Sequence, residues 1–250
     1  MPEITLCAAT SINREATLRA LVRCLDLATF GDAILFSDSE PRELDSRLRH
    51  VQVAPMRDAA DYSRFMLKGL GREIHTSHCL VVQWDGFILD PEAWTPRFLE
   101  HDYIGAVWPQ FHDHRVGNGG FSLRSRRLLL VLANLAIDEV HPEDLAICRD
   151  NRDQLEQLHD IRFADPTTAA RFSYEREHDV QPSFGFHGVF NMPAAIGVDA
   201  FWDVYTTLDH KGPAFHDFWP LLGQLTRQPG GLARAARFAA DYIAYRLRLG

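Results

Sequence analysis

An apolar run over residues 79–84 ends directly in Asp85. A carboxylate at the carboxyl end of a buried strand can ligate a divalent cation, because hard cations take oxygen ligands. Asp85-Gly86 is equally a turn-forming dipeptide. His187 stands between Gly185 and Gly188 in "FGFHGVFN". A neutral imidazole there can reach a metal or a phosphate; a lone histidine among aromatics also serves as a packed, hydrogen-bonded residue. Glu143 and Asp144 follow Pro142. Proline and then acids suit the start of a helix, whereas a carboxylate aimed into a pocket could deprotonate an acceptor hydroxyl. Arg64 and Lys68 are one helical turn apart and share a face. They could hold a diphosphate or sugar hydroxyls, or form a solvated face. His112-Asp113-His114 reads as a metal cluster or as a polar loop.

The stretch "RVGNGGFSLRSRRLL" runs from Arg115 to Leu129. Glycine is favoured where φ must be positive or where something approaches the backbone closely. Gly117, Gly119 and Gly120 therefore imply either a tight bend or a pocket wall.

These groups need a scaffold. Ile4–Ala9 is a short apolar run, followed by a polar turn at 11–13. Leu18, Leu21, Val22 and Leu25 then recur at helical spacing, with Asn13 as N-cap. Residues 33–37 and 51–54 read as the second and third strands, 61–74 as a helix and 79–84 as the fourth strand. Strands alternating with helices predict an α/β layered sheet, mostly parallel and flanked by helices. Ligands of such sheets bind outside the carboxyl ends of the strands. Those ends here are polar: "TSINRE", "SDSEPRE", "APMRDAADYSR" and "QWDGFILD". Further on, "DYIGAVW" and "GGFSLR" read as short strands. Helices are expected over 126–137, from Pro142 to about Asp160, and over 167–172. Residues 174–197 read as a long loop. The last segment, "GLARAARFAADYIAYRLRLG", is a helix carrying Arg234, Arg237, Arg246 and Arg248. The expected organisation is one domain over 1–228 and a helical extension over 229–250.

The 250 residues carry a net charge of −8 with 46% hydrophobic and 24% charged content. The balance is that of a soluble globular chain and argues against bulk nucleic-acid binding. Cys7, Cys24, Cys79 and Cys148 form no C-x-x-C pair and read as buried thiols in a reducing compartment. No signal-peptide pattern or long apolar run is read, so the expected place is the cytoplasm. The arginine-rich last helix suggests either packing on the domain or peripheral contact with the inner face of a membrane.

Taken in order, these pieces resemble a GT-A type glycosyltransferase. The stretch "DYSRFMLKGLGREIHTSHCLVVQWDGFILDPEAW" carries most of the likeness. Tyr62-Ser63-Arg64 resembles a Tyr-x-Arg helix opening, and Gln83-Trp84-Asp85 falls on an Asp-x-Asp. The set "QxDGF", "DYIGAxW", "GNGGFSLR", "PED" and "FGFHG" is similar to an uncharacterised bacterial group of glycosyltransferase-like domains. The likeness covers about residues 4–192.

The resemblance implies a GT-A, Rossmann-like fold and sugar transfer from a nucleotide sugar, a UDP-sugar by preference. The acceptor would be a saccharide or a lipid-linked sugar of bacterial surface polysaccharide. Donor contacts are then expected from Thr10, Asn13, Arg14, Asp38, Arg64, Lys68, Gln83 and Asp85. Acceptor contacts are expected from Trp108, Asn118, Gly119 and Gly120. Asp144 or Glu143 would act as base if the enzyme inverts. Asp85 and His187 would hold Mn²⁺ or Mg²⁺. Gln83 departs from the pattern by replacing the first acid, which leaves metal dependence open; cations such as Arg64, Lys68 and Arg124 could neutralise a diphosphate instead.

Gln83 also motivates a rival, a catalytically inactive nucleotide-sugar or saccharide binding protein. A nucleotidyltransferase would need a glycine-rich phosphate loop after the first strand, and "AATSINREAT" has no glycine. A plain interaction protein would make the ordered motifs coincidental.

Overall fold

Ile4–Ala9 carries no charge, as a strand covered on both faces requires. It forms β1, buried along its whole length. The computed structural model describes residues 1–137, 141–177, 182–227 and 231–249. On one side β1 pairs in parallel with β2 (Asp32–Ser37), which pairs with β3 (Arg49–Gln52). On the other it pairs in parallel with β4 (His78–Val81). Between these strands lie α1 (Arg14–Leu27) and α2 (Ala59–Lys68). After β5 (Gly86–Ile88) come β6 (Tyr103–Ile104) and β7 (Ser122–Ser125). The main sheet has the order β3-β2-β1-β4-β7-β6, with β7 antiparallel to both neighbours. The expected α/β class and mostly parallel sheet are therefore present.

The chain continues through α3 (Arg126–Asn134), α4 (Glu143–Leu145), a wide turn over Ala146–Asp150, α5 (Arg152–His159) and α6 (Pro166–Phe172). A second sheet joins β5 to β9 (Gly185–His187) and β9 to β8 (Ser173–Tyr174). Within it Phe87 meets Phe186 edge-on at 4.8 Å, and Phe121, which lies against Gly185, stacks on Phe172 of α6 at 5.1 Å. Residues 174–197 thus contain strands where a loop was expected; 178–181 lie outside the described residues.

Several expected boundaries move for local reasons. β3 spans 49–52 rather than 51–54. α2 opens on the Asp58 side chain, which accepts from the Asp61 amide at 2.8 Å, and it ends at Lys68 rather than running to 74. α3 stops at Asn134, and the Lys68 ammonium donates to the Leu132 and Leu135 carbonyls at 2.6 and 2.5 Å. A cation is favoured at such a carbonyl end. Asn13 stands at the start of α1 with φ 52°, but its side chain makes no capping bond. The four cysteines are free and buried.

The chain divides into two compact units, Met1–His187 and Gly188–Gly250. The second contains α7 (Met192–Ile196), α8 (Val198–Thr207), α9 (Gly212–His216), α10 (Phe218–Thr226) and α11 (Gly231–Leu249). Phe218 stacks on Tyr242 at 4.2 Å, and Asp241 accepts from Tyr205 and Lys211 at 2.8 and 2.7 Å. The expected boundary at 228/229 lies outside the described residues. Among the described residues no helix is long and apolar enough to cross a membrane.

Candidate active site

β4 carries the chain to the carboxyl edge of the main sheet. There Gln83 and Gly86 exchange two backbone hydrogen bonds of 3.1 Å, which places Asp85 in the tight turn between them. Asp85 is 7% exposed. The turn feeds β5, whose Gly86 stands opposite His187 in β9. Strand pairing therefore sets His187 beside Asp85, with Nε2 3.7 Å from Oδ1. β8 runs parallel to β9 with Tyr174 beside Phe186, so the following residue, Glu175, reaches His187. Its Oε1 lies 3.3 Å from His187 Nδ1.

The contacts continue on both sides. The Gln83 side chain donates to the Tyr62 hydroxyl at 2.9 Å, and its Oε1 lies 3.3 Å from His187 Nε2. Asn118 donates to Glu175 at 2.7 Å and accepts from the Gly120 amide at 3.2 Å. Asp144 accepts from the Gly119 amide at 3.3 Å and the Leu145 amide at 2.9 Å.

Electrostatics follow from this placement. Burial pushes the His187 pKa down, but Asp85 and Glu175 outweigh it and raise it to about 9, with Asp144 adding to the rise. Burial raises the Glu175 carboxyl, yet His187 prevails and holds it below its usual value. Burial, and then neighbouring Glu143, push the Asp144 carboxyl up.

Glu143 is placed differently. It accepts from Arg124 at 3.2 Å and from Ser63 at 3.4 Å. Arg124 is fully buried, with its guanidinium over the Tyr103 ring at 5.5 Å. Expected as a cation for a diphosphate, Arg124 instead sits inside the fold as the partner of Glu143.

The glycines now have a reason. A Cβ at Gly120 would lie 2.0 Å from His187 Nε2, one at Gly119 2.4 Å from Glu143, and one at Gly117 2.0 Å from the Trp108 ring. Side chains of the protein itself make the close approach. Trp108, Asn118, Gly119 and Gly120 are all buried.

At the same edge, Thr10 after β1 donates its amide to Phe36 of β2 at 2.9 Å. Arg14 reaches Asp38 at 3.7 Å and Ser39 at 2.5 Å. Arg14 Nε is buried and has no hydrogen-bond partner among the described residues. Arg64 and Lys68 line an open groove of about 580 Å³ with Met56, Arg57, Asp61 and Arg72, and the Met56 amide donates to Ser11 at 2.9 Å. Arg64 pairs there with Asp61 at 3.1 Å. Asp113 pairs with Arg149 at 2.9 Å, and among the described residues no group of three or more His, Cys, Asp or Glu is arranged to hold a metal.

The family model described as "Protein of unknown function (DUF5672)" matches residues 45–187, more than half of the chain. The chain belongs to this family. The DUF5672 region contains the Asp85 turn, the glycine loop, Asp144, Glu175 and His187. No curated protein matches the chain. Solved structures similar to it include the galactosyltransferase LgtC in complex with donor and acceptor sugar analogs. That one has 12% identity and a TM-score of 0.47, over 85% of this chain and 99% of that one. Another is a glycosyltransferase involved in glycosylation of the major capsid of PBCV-1, at 13% identity and TM-score 0.43, over 74% and 93%. A third is the apo form of GlyE from Streptococcus pneumoniae TIGR4, at 10% and 0.44, over 73% and 53%. Likeness of this degree carries nothing about activity.

Proposed function

We propose that this DUF5672 chain is a glycosyltransferase. It moves a sugar from a nucleotide sugar, a UDP-sugar by preference, to a hydroxyl of a saccharide or lipid-linked acceptor in bacterial surface polysaccharide assembly. The observation that carries the reading is the convergence of Asp85, His187 and Asp144 at the carboxyl edge of the sheet, where α/β folds bind ligands.

The donor's nucleotide lies over the turn at Thr10–Arg14, with Arg14 and Asp38 as polar contacts. Asp85 and His187 are the residues that would hold Mn²⁺ or Mg²⁺. The protein supplies two donors, Asp85 Oδ1 and His187 Nε2, 3.7 Å apart, and Glu175 on Nδ1 turns Nε2 toward Asp85, as an outer-sphere carboxylate does for a ligating histidine. Bound there, the ion would offset charge on the departing diphosphate. Gln83 supplies a neutral oxygen in place of the acid expected at its position.

Asp144 takes the proton of the acceptor hydroxyl. The acceptor oxygen bonds to the anomeric carbon, and the bond from that carbon to the diphosphate oxygen breaks. The nucleoside diphosphate keeps the electron pair, and the proton ends on Asp144. A carboxyl pushed up by burial holds a proton better near neutral pH. Trp108, Asn118, Gly119 and Gly120 form the wall on the acceptor side, where the Gly119 amide donates to Asp144. Arg64 and Lys68 line a groove that also includes Met56, whose amide donates to Ser11 of the Thr10–Arg14 turn at 2.9 Å, and they are the cations available to the donor there.

A second reading, an inactive saccharide or nucleotide-sugar binding protein, draws on Gln83, whose amide is committed to Tyr62 and His187. Release of nucleoside diphosphate from a panel of nucleotide sugars separates the two. The transferase reading expects release by wild type and loss of about a hundredfold or more in a folded Asp85→Ala variant. Binding without release would favour the second reading.

A further inference from the structure

Two faces of α11 are apolar, and only one is covered. Ala235 and Phe238 are buried, and Tyr242 and Tyr245 pack on Phe215 at 5.6 and 5.1 Å. On the other side Leu232 is 76% exposed, Ile243 59% and Leu247 77%. At 3.6 residues per turn, Leu232, Ile243, Ala236, Leu247 and Ala240 fall within an arc of about 80°. All five are exposed. The next positions around the helix, Ala233 and Ala244, are also exposed and apolar. Arginines bound this stripe: Arg237 and Arg248 along one margin and Arg246 along the other, all exposed. The helix's one acid, Asp241, lies off the stripe and accepts from Tyr205 and Lys211.

We propose that this face of α11 binds the surface of an anionic bilayer, with the helix in the interface plane. The inference rests on the second unit alone and does not depend on the catalytic reading. A wide apolar stripe edged by cations is the pattern of an interfacial helix. Leu232, Ile243 and Leu247 enter the headgroup–acyl boundary. The arginines lay their stems along it and present guanidinium groups to lipid phosphates. Charge distinguishes this occupant from a second copy of the chain. Two such faces brought together would set arginine margin against arginine margin, and like charges across an interface are unfavourable.

The test is cosedimentation of the full chain with phosphatidylcholine vesicles, with and without phosphatidylglycerol. The wild type is expected to partition onto the anionic vesicles, less so as salt rises. The double variant Ile243→Glu/Leu247→Glu should lose about tenfold or more in partitioning. Arg237→Ala and Arg248→Ala should each lose about fivefold. All these side chains are exposed, so an unchanged melting temperature verifies that the variants fold. Absence of wild-type binding, or equal binding by wild type and the double variant, would overturn the proposal. So would a dimer, split by Leu247→Glu, in a chain that leaves vesicles unbound; that result assigns the face to a second copy.

Discussion

Nδ1 of His187 lies 3.3 Å from Oε1 of Glu175. This contact joins the second sheet to the glycine loop, because the other Glu175 oxygen accepts from Asn118. It fixes which way the imidazole points, and so which nitrogen faces Asp85.

Replacing Glu175 should therefore be felt at His187. The imidazole is raised from 6.5 to about 9 by its carboxylate neighbours, against burial. A raised histidine contributes stability that is complete below about pH 6.5 and is lost as pH climbs through about 9. In metal-free protein, Glu175→Gln should lower the His187 pKa read by NMR titration. It should also flatten the fall in melting temperature between those pH values. An unchanged His187 titration would break the link between the two residues.

Gly120 is predicted to tolerate no side chain. Its Cβ would meet His187 at 2.0 Å with the strand pairing holding the ring in place. Gly120→Ala should cost about 1–3 kcal/mol in urea unfolding. Gly223, inside α10, has open space around its Cβ position. Gly223→Ala should be stabilising by about 0.5–1 kcal/mol, as alanine is in a helix. Equal effects at the two sites would refute the packing account.

The two acids of "HPEDL" should fail in different ways. Glu143 balances the buried Arg124 guanidinium. Glu143→Gln should cost about 3–5 kcal/mol of stability by leaving that charge uncompensated. Asp144→Asn should leave stability nearly intact and cut turnover by about 10²-fold or more with donor affinity little changed. Measured kcat, donor Kd and unfolding curves distinguish them; full turnover by Asp144→Asn removes it as base.

Asp102 ties the far end of the main sheet together. It accepts from Ser125 and Arg127, each at 2.5 Å, and from the Arg162 amide at 2.9 Å. Burial alone would raise its carboxyl, but Arg127, Ser125 and Arg162 prevail and hold it below the usual carboxylate range. Its contribution to stability is present above the unfolded-state pKa and is lost as pH falls through the folded-state one. Asp102→Asn should cost about 1–3 kcal/mol near neutral pH and less as the solution is acidified. A pH-independent difference between variant and wild type would contradict this.

Much of the scaffold was legible because it is local. Ile4–Ala9 is uncharged because both faces are covered, and Asp85 stands out because a charge ends an apolar strand. Glu175 was missed because its strand, Ser173–Tyr174, is two residues long and shows no period; its role comes from register with β9. Lys68 reads as a surface cation until α3 brings two carbonyls to it. The glycine loop raised a valid question, but its answer lies in Trp108, Glu143 and His187, which only the fold brings near. α7, α9 and α10 went unread because their short apolar runs are interrupted by Gly and Pro and hold no sustained helical period.

The proposed transfer requires that the edge formed by Asp85 and His187 receive a nucleoside diphosphate. The direct measurement is thermal unfolding of wild type and Asp85→Ala with UDP, GDP, CMP, dTDP and their common sugars, in Mn²⁺ and in EDTA. A nucleoside diphosphate should raise the wild-type melting temperature, since a ligand at about 100 times its Kd adds about 2.7 kcal/mol to the native state. The shift should be lost in Asp85→Ala. A wild-type chain whose melting is moved by none of these nucleotides would contradict the proposed transfer.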